Sequence, residues 1–367
     1  TGGGSRALRV DELCRLAAER FPGMLPNAAE LAAEAKLPQR DKRGLEKTQG
    51  RFLGAVLADP RAGEHLCRSM LLPREDSRKH LAQFEAKGEL ELAGAHLARR
   101  GKAAILTLRN PRFLNAEDET TLDGTEIAVD VALLDANCEL LVLRGDRVEH
   151  PKHAGSRVFG AGINLTHLYQ GKIRYLWYLI RDLGFVNKLY RGLALPGVHP
   201  EEDSREKPWV AAVENFAIGG HCQILLTMDY VIAAEDAYMT LPARKEGIIP
   251  GAANLRLPRF VGPRVARQAI LAGRRLDCNS PEGRRICDEI VKAAEMDQAV
   301  ERTIALLTDS GVVSAAGNRR ALRSGEEPLD TFRRYMAVYA REQAVCHFSP
   351  ALIANLEKHW DAANRRG

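Results

Sequence analysis

Near Gly88 the sequence changes period, and that change limits what the chain can build. From about residue 9 to residue 88 the apolar residues fall at helical spacing. Val10, Leu13, Leu16, Ala17 and Phe21 mark a first helix, Pro26 opens an alanine-rich second, and residues 43–57, 62–72 and 75–87 read as three more. After Gly88 short apolar runs of strand length alternate with helical ones. Residues 89–98 and 103–108 read as a hairpin turning at Arg100-Gly101. Residues 122–134 read as an amphipathic helix, and 138–144, 209–217 and 230–234 as buried strands. From Pro258 the pattern is helical to the C-terminus. Such alternation predicts an α/β core with a partly parallel sheet at residues 89–275, between a helical N-terminal domain (1–88) and a helical C-terminal region (276–367). Residues 150–157 and 195–207, rich in Pro, Gly and charge, read as loops.

Composition removes several function classes. The 53 basic and 48 acidic side chains leave a net charge of +5, with no long block of one sign. That is too dilute for a nucleic-acid footprint, though it suits an anionic small molecule. Seven scattered cysteines without a C-x-x-C pair encode neither a disulfide framework nor a zinc knuckle, so reduced thiols and a cytoplasmic protein are expected. No run approaches the 18 apolar residues of a membrane span, and the glycine-rich start lacks an apolar signal core.

Three strings can carry chemistry. The first, VFGAGINL at residues 158–165, is a small-residue turn opening onto a helix, where unpaired backbone N–H groups become donors to an anion. Alone it is as well explained as an ordinary glycine turn. Some 50 residues on, VAAVENFAIGGHCQILL at 210–226 describes a buried strand that ends at Gly219-Gly220 and enters an apolar helix. Two such turns can aim two N–H donors at one oxygen, the geometry of an oxyanion hole. The third string, YMTLPARKEGIIPGAANLRL at 238–257, reads as a rigid irregular loop leading into a helix.

Together with RNPRFLNA at 109–116, MDYVIAAEDAYMTLP at 228–242 and EGIIPGAANLRLPRFVGPRVARQAILAGRRL at 246–276, these strings resemble the crotonase, or enoyl-CoA hydratase/isomerase, superfamily, in order over roughly residues 89–290. The resemblance implies a ββα spiral core, assembly as trimers or paired trimers, and stabilisation of a thioester enolate by two backbone N–H groups. By motif position those donors are Ile163 and Gly220. The family's hydratases carry catalytic glutamates where this chain has Gln223 and Ala243, and neither of these can act as a general base. Hydratase activity is therefore not expected.

Nearly the whole chain, including the helical N-terminal part, is similar to one branch of that superfamily, the cofactor-independent dioxygenases of glycopeptide-antibiotic biosynthesis. This closer resemblance implies conversion of 3,5-dihydroxyphenylacetyl-CoA and O2 to 3,5-dihydroxyphenylglyoxylate and free CoA, without metal, flavin or haem, by a homo-hexamer built as a dimer of trimers. Expected substrate contacts are Glu117, Arg181, Gln223 and His150, and the expected apolar O2 pocket is Leu165, Ala243 and Ile248. The plainer readings are a solvated helix-start carboxylate for Glu117, a surface arginine for Arg181, a core amide for Gln223 and an exposed loop histidine for His150. The alternatives within the superfamily are thioesterase, isomerase and decarboxylase chemistry. A non-haem metal site at Glu149, His150, His153 and His167 is a weaker reading, and cysteine catalysis through Cys222 weaker still.

Overall fold

The computed structural model describes residues 1–310 and 312–365; residues 311, 366 and 367 of the expected C-terminal region lie outside the described residues. The apolar runs after Gly88 form a seven-stranded sheet of Glu89–Leu92, Ala95–Arg100, Ala103–Leu108, Leu140–Gly145, Trp209–Val213, Tyr230–Ala234 and Glu289–Val291, paired in that order. The first three strands are antiparallel and the rest pair in parallel. Leu140–Gly145 and Trp209–Val213 are buried along their whole length, which is why they read as continuous apolar runs rather than alternating ones. A second sheet joins Phe216–Ile218 to Tyr238–Thr240 in parallel and Tyr238–Thr240 to Leu276–Asp277 in antiparallel fashion.

Three expectations need correction. Residues 89–98 are two strands, because the chain turns at residues 93–94, and the hairpin becomes a three-stranded meander. Gly94 packs there against the helix Glu119–Leu134, where a Cβ would lie 2.5 Å from that of Thr121. Residues 209–217 are not one strand either. Asn215 takes a left-handed conformation (φ 60°), and Phe216–Ile218 leaves the large sheet for the small one. Finally, the chain beyond Pro258 is not wholly helical: Leu276–Asp277 and Glu289–Val291 each pair at the edge of a sheet. At two and three residues they are too short to leave a period in the sequence.

The five N-terminal helices are Val10–Arg20, Ala28–Glu34, Lys47–Ala58, Pro60–Leu71 and Ser77–Lys87. The third and fourth of these, Lys47–Ala58 above all, pack against the C-terminal helix Leu329–His347. Gly50 and Gly54 allow that approach, since a Cβ would meet Ala344 Cβ at 2.4 Å and Arg341 Cγ at 2.5 Å respectively. Glycine inside a helix costs propensity, and here it lets two helices touch along their backbones. Among the described residues two large apolar cores stand out, one around the large sheet and one formed by the terminal helices with residues 163–183, beside a small third cluster of Val148, Val158 and Phe216.

Candidate active site

The break at Asn215 brings the two glycine strings side by side. The Gly160 N–H donates to Phe216 O (3.1 Å) and the Ile218 N–H to Gly160 O (2.9 Å), so the first string runs parallel to the strand that ends in the second. Gly162 (φ 79°) and Gly219 (φ 55°) turn both chains through backbone angles that L side chains rarely adopt. They also pass very close: a Cβ on Gly162 would lie 3.1 Å from the Gly220 nitrogen. The next N–H groups, of Ile163 and Gly220, find no acceptor among the described residues, and both residues line one inner cavity. Two unpaired donors facing a common space are what an oxyanion hole requires.

Arg181 ties the strings together. It is 3% exposed, on a π-helical turn, Arg181–Phe185, that continues the helix Tyr175–Ile180. Its Nε and Nη2 donate to the two carboxylate oxygens of Glu117 (2.8 and 2.7 Å), and Nη2 also donates to Gly220 O (3.0 Å). Nη1 donates to Asp182 Oδ1 (2.8 Å) and Gln223 Oε1 (2.6 Å), while Gln223 Nε2 donates to Asp182 Oδ1 (2.9 Å). Glu117 in turn pairs through its backbone with Gly162 and Asn164. Burial alone would lower the Arg181 pKa, but Glu117 and Asp182 outweigh it and hold the guanidinium charged. Burial raises the Asp182 carboxyl against the pull of Arg181, Gln223 and Tyr339.

His221, the first residue after Gly220, accepts the Gly162 N–H on Nδ1 at 3.0 Å. Burial pushes its pKa down to about 4, so the ring stays neutral and can accept. Its ring also fills the space beside Gly160, where a Cβ would lie 2.2 Å away. Neighbouring Cys222 is buried and its thiol is pushed up to about 12, unsuited to nucleophilic attack.

A third group completes the cavity. Ile248, Ile249 and Gly251 come from the third string, held by the helix Leu329–His347: the Ile249 N–H donates to Gln343 Oε1 (2.8 Å), and Tyr335 Oη donates to Gly251 O. Gly251 has no room for a side chain, because a Cβ would meet Gln223 Nε2 at 2.2 Å. Glu246 also lines this space, its carboxyl raised by burial to about 7.

Of the residues expected from sequence, Ile163, Gly220, Glu117, Arg181, Gln223 and Ile248 therefore surround one cavity. His150 and Leu165 line a larger adjoining groove with Arg112 and Arg365, and Ala243 is buried at the start of the short turn Ala243–Glu246. Arg181 is no surface arginine. His167 pairs with Asp118 (2.9 Å), and among the described residues no three His, Cys, Asp or Glu side chains converge as a metal-binding set. Sequence reasoning missed Asp182, Tyr339, Glu246 and the acceptor role of His221.

The paired donor turns at the edge of a ββα core define a class: residues 99–327 match the family Enoyl-CoA hydratase/isomerase, and the chain belongs to it. The five N-terminal helices precede the matched segment. A (3,5-dihydroxyphenyl)acetyl-CoA 1,2-dioxygenase of Amycolatopsis orientalis is 48% identical over 357 residues, 97% of this chain and 81% of that protein. A short-chain-enoyl-CoA hydratase of Clostridium acetobutylicum is 26% identical over 66% of this chain and 86% of its own length. Among solved structures, an enoyl-CoA hydratase from Mycobacterium avium subsp. paratuberculosis K-10 superimposes with a TM-score of 0.60 at 21% identity, over 72% of this chain and 98% of the other, which shows the crotonase fold.

Proposed function

We propose that the chain is a dioxygenase that converts 3,5-dihydroxyphenylacetyl-CoA and O2 to 3,5-dihydroxyphenylglyoxylate and free CoA, without a metal or organic cofactor. The observation that carries this reading is the pair of N–H groups at Ile163 and Gly220, unpartnered among the described residues, in a cavity lined by Gln223 at one hydratase carboxylate position, while the other such position holds the buried Ala243. The site can hold an enolate, and neither of those two side chains can deliver water across a double bond. Identity of 48% to the Amycolatopsis dioxygenase over nearly the whole chain supports the same substrate.

The acyl group is assigned to the inner cavity and the CoA arm to the adjoining groove, where Arg112 and Arg365 offer positive charge. The thioester oxygen accepts both N–H groups, and each such donor in a water-excluded site is worth about 3 kcal/mol to the developing enolate. The α-carbon is acidified by the aryl ring as well as the carbonyl. The enolate passes one electron to O2, and the radical pair recombines to a peroxide at that carbon. The peroxide oxygen attacks the thioester carbonyl and expels CoA as the thiolate. Loss of the second α-hydrogen with O–O cleavage leaves the 2-oxo acid. Glu117, Arg181 and Gln223 are the polar groups that address the ring hydroxyls, and a site built to bond them rejects analogues that lack them. His150 stands on the groove side. Ile248, Leu165 and Ala243 are assigned to O2.

Exposed Leu306, Leu307 and Leu322 on the helices Met296–Leu307 and Val312–Glu326 support a homo-oligomer, and the family's paired trimers support a hexamer. Seven unpaired cysteines support a cytoplasmic protein. Among the described residues no helix is long and apolar enough to cross a membrane.

The test is O2 uptake and thiol release followed together, with chelator present. One O2 per CoA establishes the reaction; thiol release without O2 uptake makes the protein a thioesterase. Ala243→Leu tests the O2 assignment: we expect O2 consumption to fall at least tenfold, and an unchanged rate removes Ala243 from that pocket.

A further inference from the structure

Glu246 is the carboxyl to which the reaction above gives no task. It is 3% exposed at the end of the turn Ala243–Glu246. It lines both the inner cavity and the adjoining groove, and among the described residues Ile163 alone shares that position with it. A thioester with its acyl group in one space and its CoA arm in the other must cross this junction. There it meets an N–H donor from Ile163 and a carboxyl from Glu246.

Position in the chain adds a second argument. The third string lacks a carboxylate at Ala243, where hydratases of the family have one. Residues three apart on a helical turn share a face, so Glu246 returns a carboxyl to that face one turn later. Burial is also the sole cause of its raised pKa, and among the described residues no ion pair or hydrogen bond draws the charge into the structure. A general base works best when its pKa lies near the operating pH. Glu117, Tyr178, Arg181, Asp182 and Tyr339 share the inner cavity with it, Arg112, His150 and Arg365 share the groove, and Arg244 and Lys245 on its own turn are exposed.

We propose that Glu246 is the general base that enolises the bound thioester. The inference rests on the reading that the chain handles an arylacetyl-CoA. The α-C–H bond breaks, its electron pair enters the enolate, and the charge settles on the oxygen facing Ile163 and Gly220. The proton moves to the Glu246 carboxylate and passes to the CoA thiolate when that leaves. Glu246 is then ionised again to take the second α-hydrogen as the O–O bond cleaves. One carboxyl serves both proton removals: the first proton ends on the CoA thiol and the second is released to water with the carboxylate product, in which two oxygens come from O2 and the third from the thioester carbonyl.

Glu246→Gln keeps the shape and removes the base. We expect kcat for O2 uptake to fall at least a hundredfold with KM changed less than threefold. The rise of wild-type rate with pH through about 7 should vanish in the variant. Glu246→Asp, which keeps the carboxyl but withdraws it, should retain part of the rate and the pH limb; a purely structural role predicts neither. A Glu246→Gln rate within threefold of wild type overturns the proposal while leaving the dioxygenase reading intact. Should wild type consume no O2, anaerobic exchange of the α-hydrogens with D2O decides the matter separately. Exchange by wild type that is lost in Glu246→Gln supports the base, and equal exchange in both removes it.

Discussion

Two walls of one cavity treat buried carboxyl groups in opposite ways. On one wall Glu117 and Asp182 are locked to Arg181 and Gln223, every bond between 2.6 and 2.9 Å. On another, Glu246 is as deeply buried as Asp182 and has burial alone acting on it. Burial is common to Asp182 and Glu246, so pairing is what separates a carboxylate that holds the site's shape from one free to exchange a proton. The paired wall also bonds directly to Gly220 through Arg181, and so fixes one oxyanion donor relative to the other.

The contrast is broken most severely at its centre. Arg181→Met should cost about 3–5 kcal/mol in urea unfolding, because it leaves Asp182 as an uncompensated buried charge and strips half-buried Glu117 of its partner. A loss under about 1 kcal/mol would show that the paired wall contributes little. Glu246→Gln should act with the opposite sign. The Glu246 pKa is raised from 4.5 to about 7 in the folded chain, so the folded state binds the extra proton. The stability this provides is full below pH 4.5 and is lost as pH rises through 7. Glutamine carries no such loss, so the variant should be more stable than wild type by about 3 kcal/mol at pH 8 and no different at pH 4. Equal stability at both values would mean that Glu246 has a partner. The smallest effect belongs to His221→Leu, which deprives the Gly162 N–H of its acceptor. We expect about 1 kcal/mol, a several-fold fall in kcat with KM held.

How much of this was legible in the sequence varied with the kind of signal. The helical start, the buried parallel strands and both donor turns follow from period and from glycines at strand ends. The edge strands Leu276–Asp277 and Glu289–Val291 left no trace, because two or three residues carry no period. Arg181 could be named but not placed. Asp182 is its sequence neighbour, and residues next to each other on an α-helix diverge by about 100°. Its role depends on the local π turn, for which composition gives no sign. Glu246 was hidden for a different reason. Charged Arg244 and Lys245 precede it, and only the packing of the third string shows that the next side chain turns inward.

The glycines at positions 50 and 54 lie on a helix that lines no part of the inner cavity, and yet the roof of that cavity hangs from them. They seat the helix Leu329–His347, which supplies Tyr339 to the cavity and anchors Ile249 and Gly251. The N-terminal helices are therefore a jig for the active site, not an appendage to a catalytic core. Grafting this chain's site residues onto a smaller relative would transfer the walls of the chamber but not its ceiling.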